Sequence, residues 1–303
     1  MNPTPGAKAH VSTLGWLLVM GAAWGLEFSM LKLAAEAGFP GPGILLVTLA
    51  LISAVFCVLL TLRRGWYLPT GRVLVFLAVV SLLGFVLPLL AALWAAPHVA
   101  AGTMTLIASF TPLVTVATAL AFRTERVSPR RILAVALGMA AALLVLVPEA
   151  RLPSGGNLIW LLVVFVVPLT YGVESVYVSV TWPPGLDPLQ VVTGQALMTL
   201  LMLIPVHLLV GEPLVYDPAW PVGQTAILVV AACVLVEVLL YFLIISRTGG
   251  VLVSFSMYIS LFAGIAWGWA IFGEQLGLAV WFAIAVLAAG LALTVPPRAQ
   301  RDP

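Results

Sequence analysis

Charge is what this sequence lacks. Of its 303 residues only 13 are Lys or Arg and 11 are Asp or Glu, 8% together, where a soluble chain of this length would carry roughly 75, at about 25%. So few charges cannot cover a water-exposed surface, and 63% of the side chains are hydrophobic. A formal net charge of +2 provides no basic face for phosphates, which excludes a nucleic-acid partner. Cysteine is nearly absent as well. Cys57 and Cys233 each stand inside an apolar run, where they read as small packing residues, so no disulfide framework is expected. No intramembrane histidine has a second ligand at helical spacing, and neither a Walker A loop nor a G-x-S-x-G elbow occurs. No cofactor, metal or enzyme activity is therefore expected.

What is present is apolar runs, one after another. A helix crossing ~30 Å of hydrocarbon needs about 20 mostly apolar residues. Punctuation by Pro, Gly and charge predicts ten spans: 12–34, 44–62, 73–95, 102–122, 132–147, 158–181, 189–209, 224–246, 251–272 and 278–295. The breaks are short and leave no soluble domain. The first span is too long for a signal peptide and lacks its cleavage site, and no lipidation signal is found. The expected fold class is an all-α integral membrane protein embedded in a lipid bilayer.

The basic residues orient it. With the N-terminus in the cytoplasm, eleven of the 13 fall on inner segments: Lys8, Arg63, Arg64, Arg72, Arg123, Arg126, Arg130, Arg131, Arg247, Arg298 and Arg301. Arg151 alone is outer, and Lys32 reads as a snorkelling residue near the outer end of span one. Both termini are expected in the cytoplasm, which requires an even number of spans.

The chain also repeats. Trp24-Gly25-Leu26-Glu27 recurs 147 residues on as Tyr171-Gly172-Val173-Glu174, and Phe122-Arg123-Thr124-Glu125-Arg126 recurs 149 on as Ile271-Phe272-Gly273-Glu274-Gln275. The same offset sets Arg63 opposite Glu212, and Arg130 and Arg131 opposite Ala279 and Val280. Five spans per half is odd, so the second copy must be inverted, and the positive-inside bias removes its arginines. Residues 1–150 and 151–303 are the expected repeats.

Trp24-Gly25, Thr111-Pro112-Leu113, the turn Glu125-Arg126-Val127-Ser128-Pro129-Arg130 and the following Gly138 resemble the EamA branch of the drug/metabolite transporter superfamily. Within it the chain is most similar to YddG-type aromatic amino acid exporters. The second-half turn, Glu274-Gln275, departs from the Glu-Arg pattern. The resemblance implies a ten-helix transporter of two inverted fives in the cell inner membrane.

An ionisable side chain in the bilayer core costs roughly 2.5–3.5 kcal/mol, so those inside spans are functional candidates: Glu27, Glu174, Glu237 and Lys32. The glutamates read either as cavity groups that meet an amino group, a proton or water, or as buried acceptors tying helices together. Aromatic and hydroxyl groups share their helices: Trp24 and Phe28 in span one, Ser109 in span four, Tyr171 and Tyr177 in span six, Tyr241 in span eight, and Ser256 and Tyr258 in span nine. An aromatic-lined cavity with a few hydroxyls suits a flat apolar or zwitterionic solute; plain packing is the other reading for each tyrosine. Pro88, Pro112, Pro168 and Pro205 are expected to bend their spans, and Gly21-x-x-x-Gly25 and Gly264-x-x-x-Gly268 to bring helices close. The expected function is export of a small amphipathic metabolite, an aromatic or other hydrophobic amino acid, by a monomer working through alternating access. Export of other solutes such as cationic drugs or sugars, an intramembrane enzyme and an inert assembly subunit are the alternatives.

Overall fold

Without water in the hydrocarbon core, each backbone N–H and C=O must find its partner within the chain, which apolar runs of this length do by forming helices. The computed structural model describes residues 7–36, 41–95, 98, 104, 107–124, 128–146, 158–210, 221–273 and 278–294, and every regular element among them is helical. The turns at Glu125-Arg126 and Glu274-Gln275, together with Arg151, Arg298 and Arg301, lie outside the described residues, as do the side chains of Lys8 and Lys32.

The helices are α1 (Ala7–Glu36), α2 (Gly41–Leu62), α3 (Gly71–Ser81), a π-turn (Leu82–Val86), α4 (Leu87–Ala95), α5 (Thr111–Ala121) and α6 (Pro129–Leu146). The second half supplies α7 (Leu158–Thr181), α8 (Pro188–Val210), α9 (Pro221–Thr248), α10 (Gly250–Val253), α11 (Ser256–Phe272) and α12 (Leu278–Thr294). Among the described residues seven helical stretches are long and apolar enough to cross a membrane, formed by α1, α2, α3 through α4, α7, α8, α9 and α10 through α11. This is three fewer than the ten expected. In span four the described residues are helical at Met104, Ile107 and Ala108 and again from Thr111, with a turn at Ser109-Phe110 between them. In α6 the first turn is occupied by Pro129-Arg130-Arg131, and the apolar part of α12 is short.

Two further spans that read as continuous are interrupted. Pro88 offers no N–H to the carbonyl four residues back, and its ring crowds that turn. The chain widens there into the π-turn, in which Leu87 N–H reaches the Leu82 carbonyl. Span nine breaks at Ser254-Phe255. The Ser254 hydroxyl donates to the Val251 carbonyl at 2.9 Å and Phe255 N–H turns to Leu252, so the helical ladder restarts at Ser256. Pro112 lies in the first turn of α5, where a missing N–H costs nothing, directly after the turn at Ser109-Phe110 that interrupts span four.

The surface is inverted relative to that of a soluble protein. Leu162, Leu201, Leu208 and Leu209 are exposed, whereas Thr48, Ser81, Thr115, Gln195 and Glu237 are buried. The principal packing pairs are α1 with α9 and α11, α7 with α4 and α5, α2 with α8 and α9, α3 with α8, and α6 with α12. Exchanging each helix for the one five spans later (α1 for α7, α2 for α8, α3–α4 for α9, α5 for α11, α6 for α12) maps this set onto itself.

Glycine sets the closest approaches, at related positions in both halves. A Cβ on Gly25 of α1 would lie 2.7 Å from the Ala263 Cβ of α11 and against the Gly264 backbone, and one on Gly172 of α7 would lie 2.6 Å from Val114 and 3.0 Å from Thr115 N of α5. Gly172 follows Gly25 by 147 residues, and Ala263-Gly264 follow Val114-Thr115 by 149.

Contacts between helix ends place several segments at one end of the bundle. The Arg247 guanidinium at the end of α9 lies 4.7 Å from the Trp16 ring near the start of α1, and Trp182, just past α7, packs edge-on against Phe242 of α9. The α2–α3 connector joins them: Gln190 Nε2 donates to the Gly65 carbonyl at 2.8 Å, and the Tyr67 hydroxyl to the Gln190 carbonyl at 3.3 Å.

Gly25→Leu and Gly172→Leu should each lower the thermal midpoint of the purified protein in detergent by several degrees, since overpacking of this kind costs about 1–3 kcal/mol. Gly15→Ala, where the new Cβ meets nothing within 4 Å, should leave the midpoint unchanged or raise it. Scanning fluorimetry on the three variants checks both expectations.

Candidate functional site

Three glutamates in apolar helices need a reason to stay there, because a carboxyl removed from water requires a partner or a polar cavity. Glu27 of α1 and Glu237 of α9 satisfy part of each other: their carboxyls meet across the α1–α9 contact, close enough to share a hydrogen bond. Two carboxyls can bond in this way only when one keeps its proton. Glu174 of α7 is seated differently, against the backbone of Gly84 in the π-turn. A Cβ at Gly84 would lie 2.8 Å from the Glu174 Cδ, so only glycine leaves room for the carboxyl. The Tyr241 hydroxyl stands beside Glu174 without being aligned into a hydrogen bond, and its Oη has no partner among the described residues.

These groups converge on two adjoining cavities. The inner chamber, of about 120 Å³, is walled by α1, α2, the π-turn, α4, α7, α8 and α9, and includes Trp24, Glu27, Tyr171, Glu174, Glu237 and Tyr241. The wider vestibule, of about 490 Å³, is lined by Phe28, Ser29, Ser109 and Ser260 among mostly apolar neighbours. Trp24, Glu27, Leu45, Leu89 and Tyr171 line both. The Trp24 and Tyr171 rings meet edge to face with centroids 6.0 Å apart, which couples α1 to α7 where the two spaces join. No Lys, Arg or His is found among the described residues of either wall.

Of the residues expected from sequence, Trp24, Glu27, Phe28, Ser109, Tyr171, Glu174, Glu237 and Tyr241 line these cavities, and Tyr177, Ser256 and Tyr258 lie off their walls. Helical rotation of 100° per residue explains the difference: Tyr177 is six residues from Tyr171 and points about 120° away from it. It stacks on Phe76 of α3, ring centroids 5.9 Å apart. Tyr258 is fully buried against Gly138 of α6 and donates to the Val135 carbonyl at 3.2 Å. The α11 face on the vestibule runs instead through Met257, Ser260, Leu261, Gly264 and Ile265.

Two wall residues went unnoticed in the sequence, Thr48 of α2 and Gln195 of α8. Both are buried and line the inner chamber. Gln195 Nε2 donates to the Val80 carbonyl at 3.4 Å; its Oε1 and Thr48 Oγ1 have no partner among the described residues. An amide inside an apolar span is costly enough to have marked Gln195; nothing local marks Thr48.

Twenty-eight solved chains resemble this one. One of them, described only as "Crystal structure of protein", superposes with a TM-score of 0.73 at 20% sequence identity, covering 92% of this chain and 96% of that one; at that identity the likeness is one of fold. No curated protein matches. The model of the EamA-like transporter family matches residues 11–147. Through that segment, which holds most of α1 and all of α2 to α6 and with them Trp24, Glu27, Phe28 and Ser109, the chain is similar to the EamA-like transporter family.

Proposed function

We propose that this protein exports small amphipathic metabolites carrying an amino group, foremost amino acids with aromatic or other hydrophobic side chains, across the cell inner membrane. One observation carries the reading: three carboxyls, two of them buried, and the Trp24–Tyr171 pair converge on a cavity that holds no basic residue among its described walls. An ammonium group would be drawn to the carboxyls, a flat apolar body would lie against the rings, and the vestibule hydroxyls of Ser29, Ser109 and Ser260 would face an amino acid's carboxylate.

The proposed mechanism is alternating access, in which residues 1–150 and 151–303 act as two five-helix repeats of inverted orientation, ten spans in all, rocking around the cavity. The self-mapping packing pairs and the matched glycine approaches at Gly25 and Gly172 support it. Gathering of the α1 start, the Arg63-Arg64 connector and Arg247 at one end supports cytoplasmic termini. The chain is read as a monomer whose partners are its solute and the bilayer, without nucleic acid, cofactor or catalysis.

A second reading, export of cationic amphiphiles, is favoured by the same imbalance of three acids against no base. Glu237→Gln separates the two. It should abolish export of a cation that depends on the carboxylate, and should slow a zwitterion's export only partly.

In proteoliposomes preloaded with radiolabelled aromatic amino acids, efflux should be at least tenfold slower for Trp24→Ala and Tyr171→Ala than for the parent chain. Tyr177→Phe, which keeps its ring on Phe76, should stay within about twofold. Normal efflux by folded Tyr171→Ala protein would overturn the aromatic-cavity reading. A green fluorescent protein fused to the C-terminus should fluoresce and an alkaline phosphatase fusion there should be inactive; the reverse pattern would refute the proposed orientation.

A further inference from the structure

Three acceptor atoms without a partner among the described residues line the inner chamber from three different helices. Glu237 Oε1 comes from α9, Gln195 Oε1 from α8 and Thr48 Oγ1 from α2. All three side chains are more than nine-tenths buried, at 6%, 2% and 3% exposure. Leaving such atoms unsatisfied is costly, and native structures rarely do so without a purpose. The amide orientation is fixed independently, since Gln195 Nε2 already donates to the Val80 carbonyl. The acceptor character of the chamber therefore belongs to the fold. The Tyr241 hydroxyl, a fourth such atom on the same wall, can accept as well as donate.

We infer that the inner chamber is a recognition site for a primary ammonium group, whose three N–H donors match the acceptors of Glu237, Gln195 and Thr48, and that it selects primary amines against N-methylated ones. This rests on the reading of the cavity as the solute site. It adds which end of the solute goes deepest and what the head group must be. The chamber's size supports the assignment. About 120 Å³ holds a compact ammonium, while the vestibule of about 490 Å³ takes the hydrophobic body. Each methyl placed on nitrogen removes one donor, orphans one acceptor and adds bulk where the walls are close. A quaternary ammonium keeps its charge and loses every donor, so charge attraction alone would not reject it. A hydrogen-bonding site does.

The test uses the full chain purified in detergent, with tritiated 2-phenylethylamine as probe and its N-methyl, N,N-dimethyl and N,N,N-trimethyl derivatives as competitors. Affinity should fall about tenfold for each N–H lost, the usual consequence of orphaning one buried acceptor. The trimethyl compound should bind at least a hundredfold more weakly than the primary amine. Gln195→Leu and Thr48→Val, shown folded by their thermal midpoints, should each shrink the step between primary and secondary amine while leaving trimethyl binding unchanged. A trimethyl derivative that binds as tightly as the primary amine overturns the inference, and this outcome needs no variant to fold. Failure here is separable from failure of the transport reading. Ordered binding of the series with no efflux of any solute sinks export and leaves the recognition site standing. Efflux of amino acids with no discrimination along the series does the reverse.

Discussion

Everything in this bundle is arranged around the cost of keeping three carboxyls away from water. An apolar helix can satisfy its own backbone, but a glutamate side chain within it cannot be satisfied locally and must be met from a neighbouring helix or a polar cavity. The fold meets that demand in two ways. Glu27 and Glu237 face each other across α1 and α9, whereas Glu174 lies against the bare backbone of Gly84. The second arrangement depends on a local irregularity, the π-turn that Pro88 imposes on the helix carrying Gly84. One proline thus interrupts a helix at the point where a carboxyl needs a seat.

Matched positions in the two halves are packed alike but chemically different. Gly25 and Gly172 let α1 and α7 press against α11 and α5 in corresponding ways, and the glutamates two residues after them, Glu27 and Glu174, both reach the same chamber. Their partners differ, because the position 149 residues before Glu237 is Pro88. The packing repeats while the acid pair does not. A cavity between such halves has one acid-paired side and one side where a carboxyl rests on backbone and a tyrosine hydroxyl. A solute with a single charged head can therefore be oriented inside it.

The three acids were legible in the sequence because the cost of a charge in an apolar run is local: Glu27, Glu174 and Glu237 announce themselves from their own neighbours in the chain. Trp24 and Tyr241 follow from helical spacing to those acids, three and four residues away, and Phe28 from its spacing of four to Trp24. Spacing fails beyond about one turn, which is why Tyr177 stacks on Phe76 instead of facing the cavities; Tyr258, on a helix with no acid to set its face, packs on Gly138. Thr48 could not have been found at all. A threonine in a helix ordinarily donates to the carbonyl four residues back, as Thr193 does to Leu189, and only the packed structure shows that Thr48 has no such partner. Span limits were read well where runs were uninterrupted. The limits of span nine hold as well; what its apolar pattern does not show is the break inside it at Ser254-Phe255, where the Ser254 hydroxyl bonds to the backbone.

The chamber's construction ties its occupancy to the shape of the whole protein. Its walls come from α1, α2 and the π-turn with α4 in the first half of the chain, and from α7, α8 and α9 in the second. Thr48 belongs to one half, and Gln195, Glu237 and Tyr241 to the other. A movement of one half against the other would therefore shift Thr48 relative to the other three acceptors. A ligand shifts a conformational equilibrium only by as much as it binds one arrangement better than another, and one that needs several acceptors at once binds best where they converge. A ligand satisfied by charge alone would respond less, because Coulomb attraction falls off slowly with distance whereas hydrogen bonds do not. The directional part of recognition is thus the part that can couple binding to rearrangement, and it is supplied by neutral Thr48 and Gln195 as much as by the glutamates.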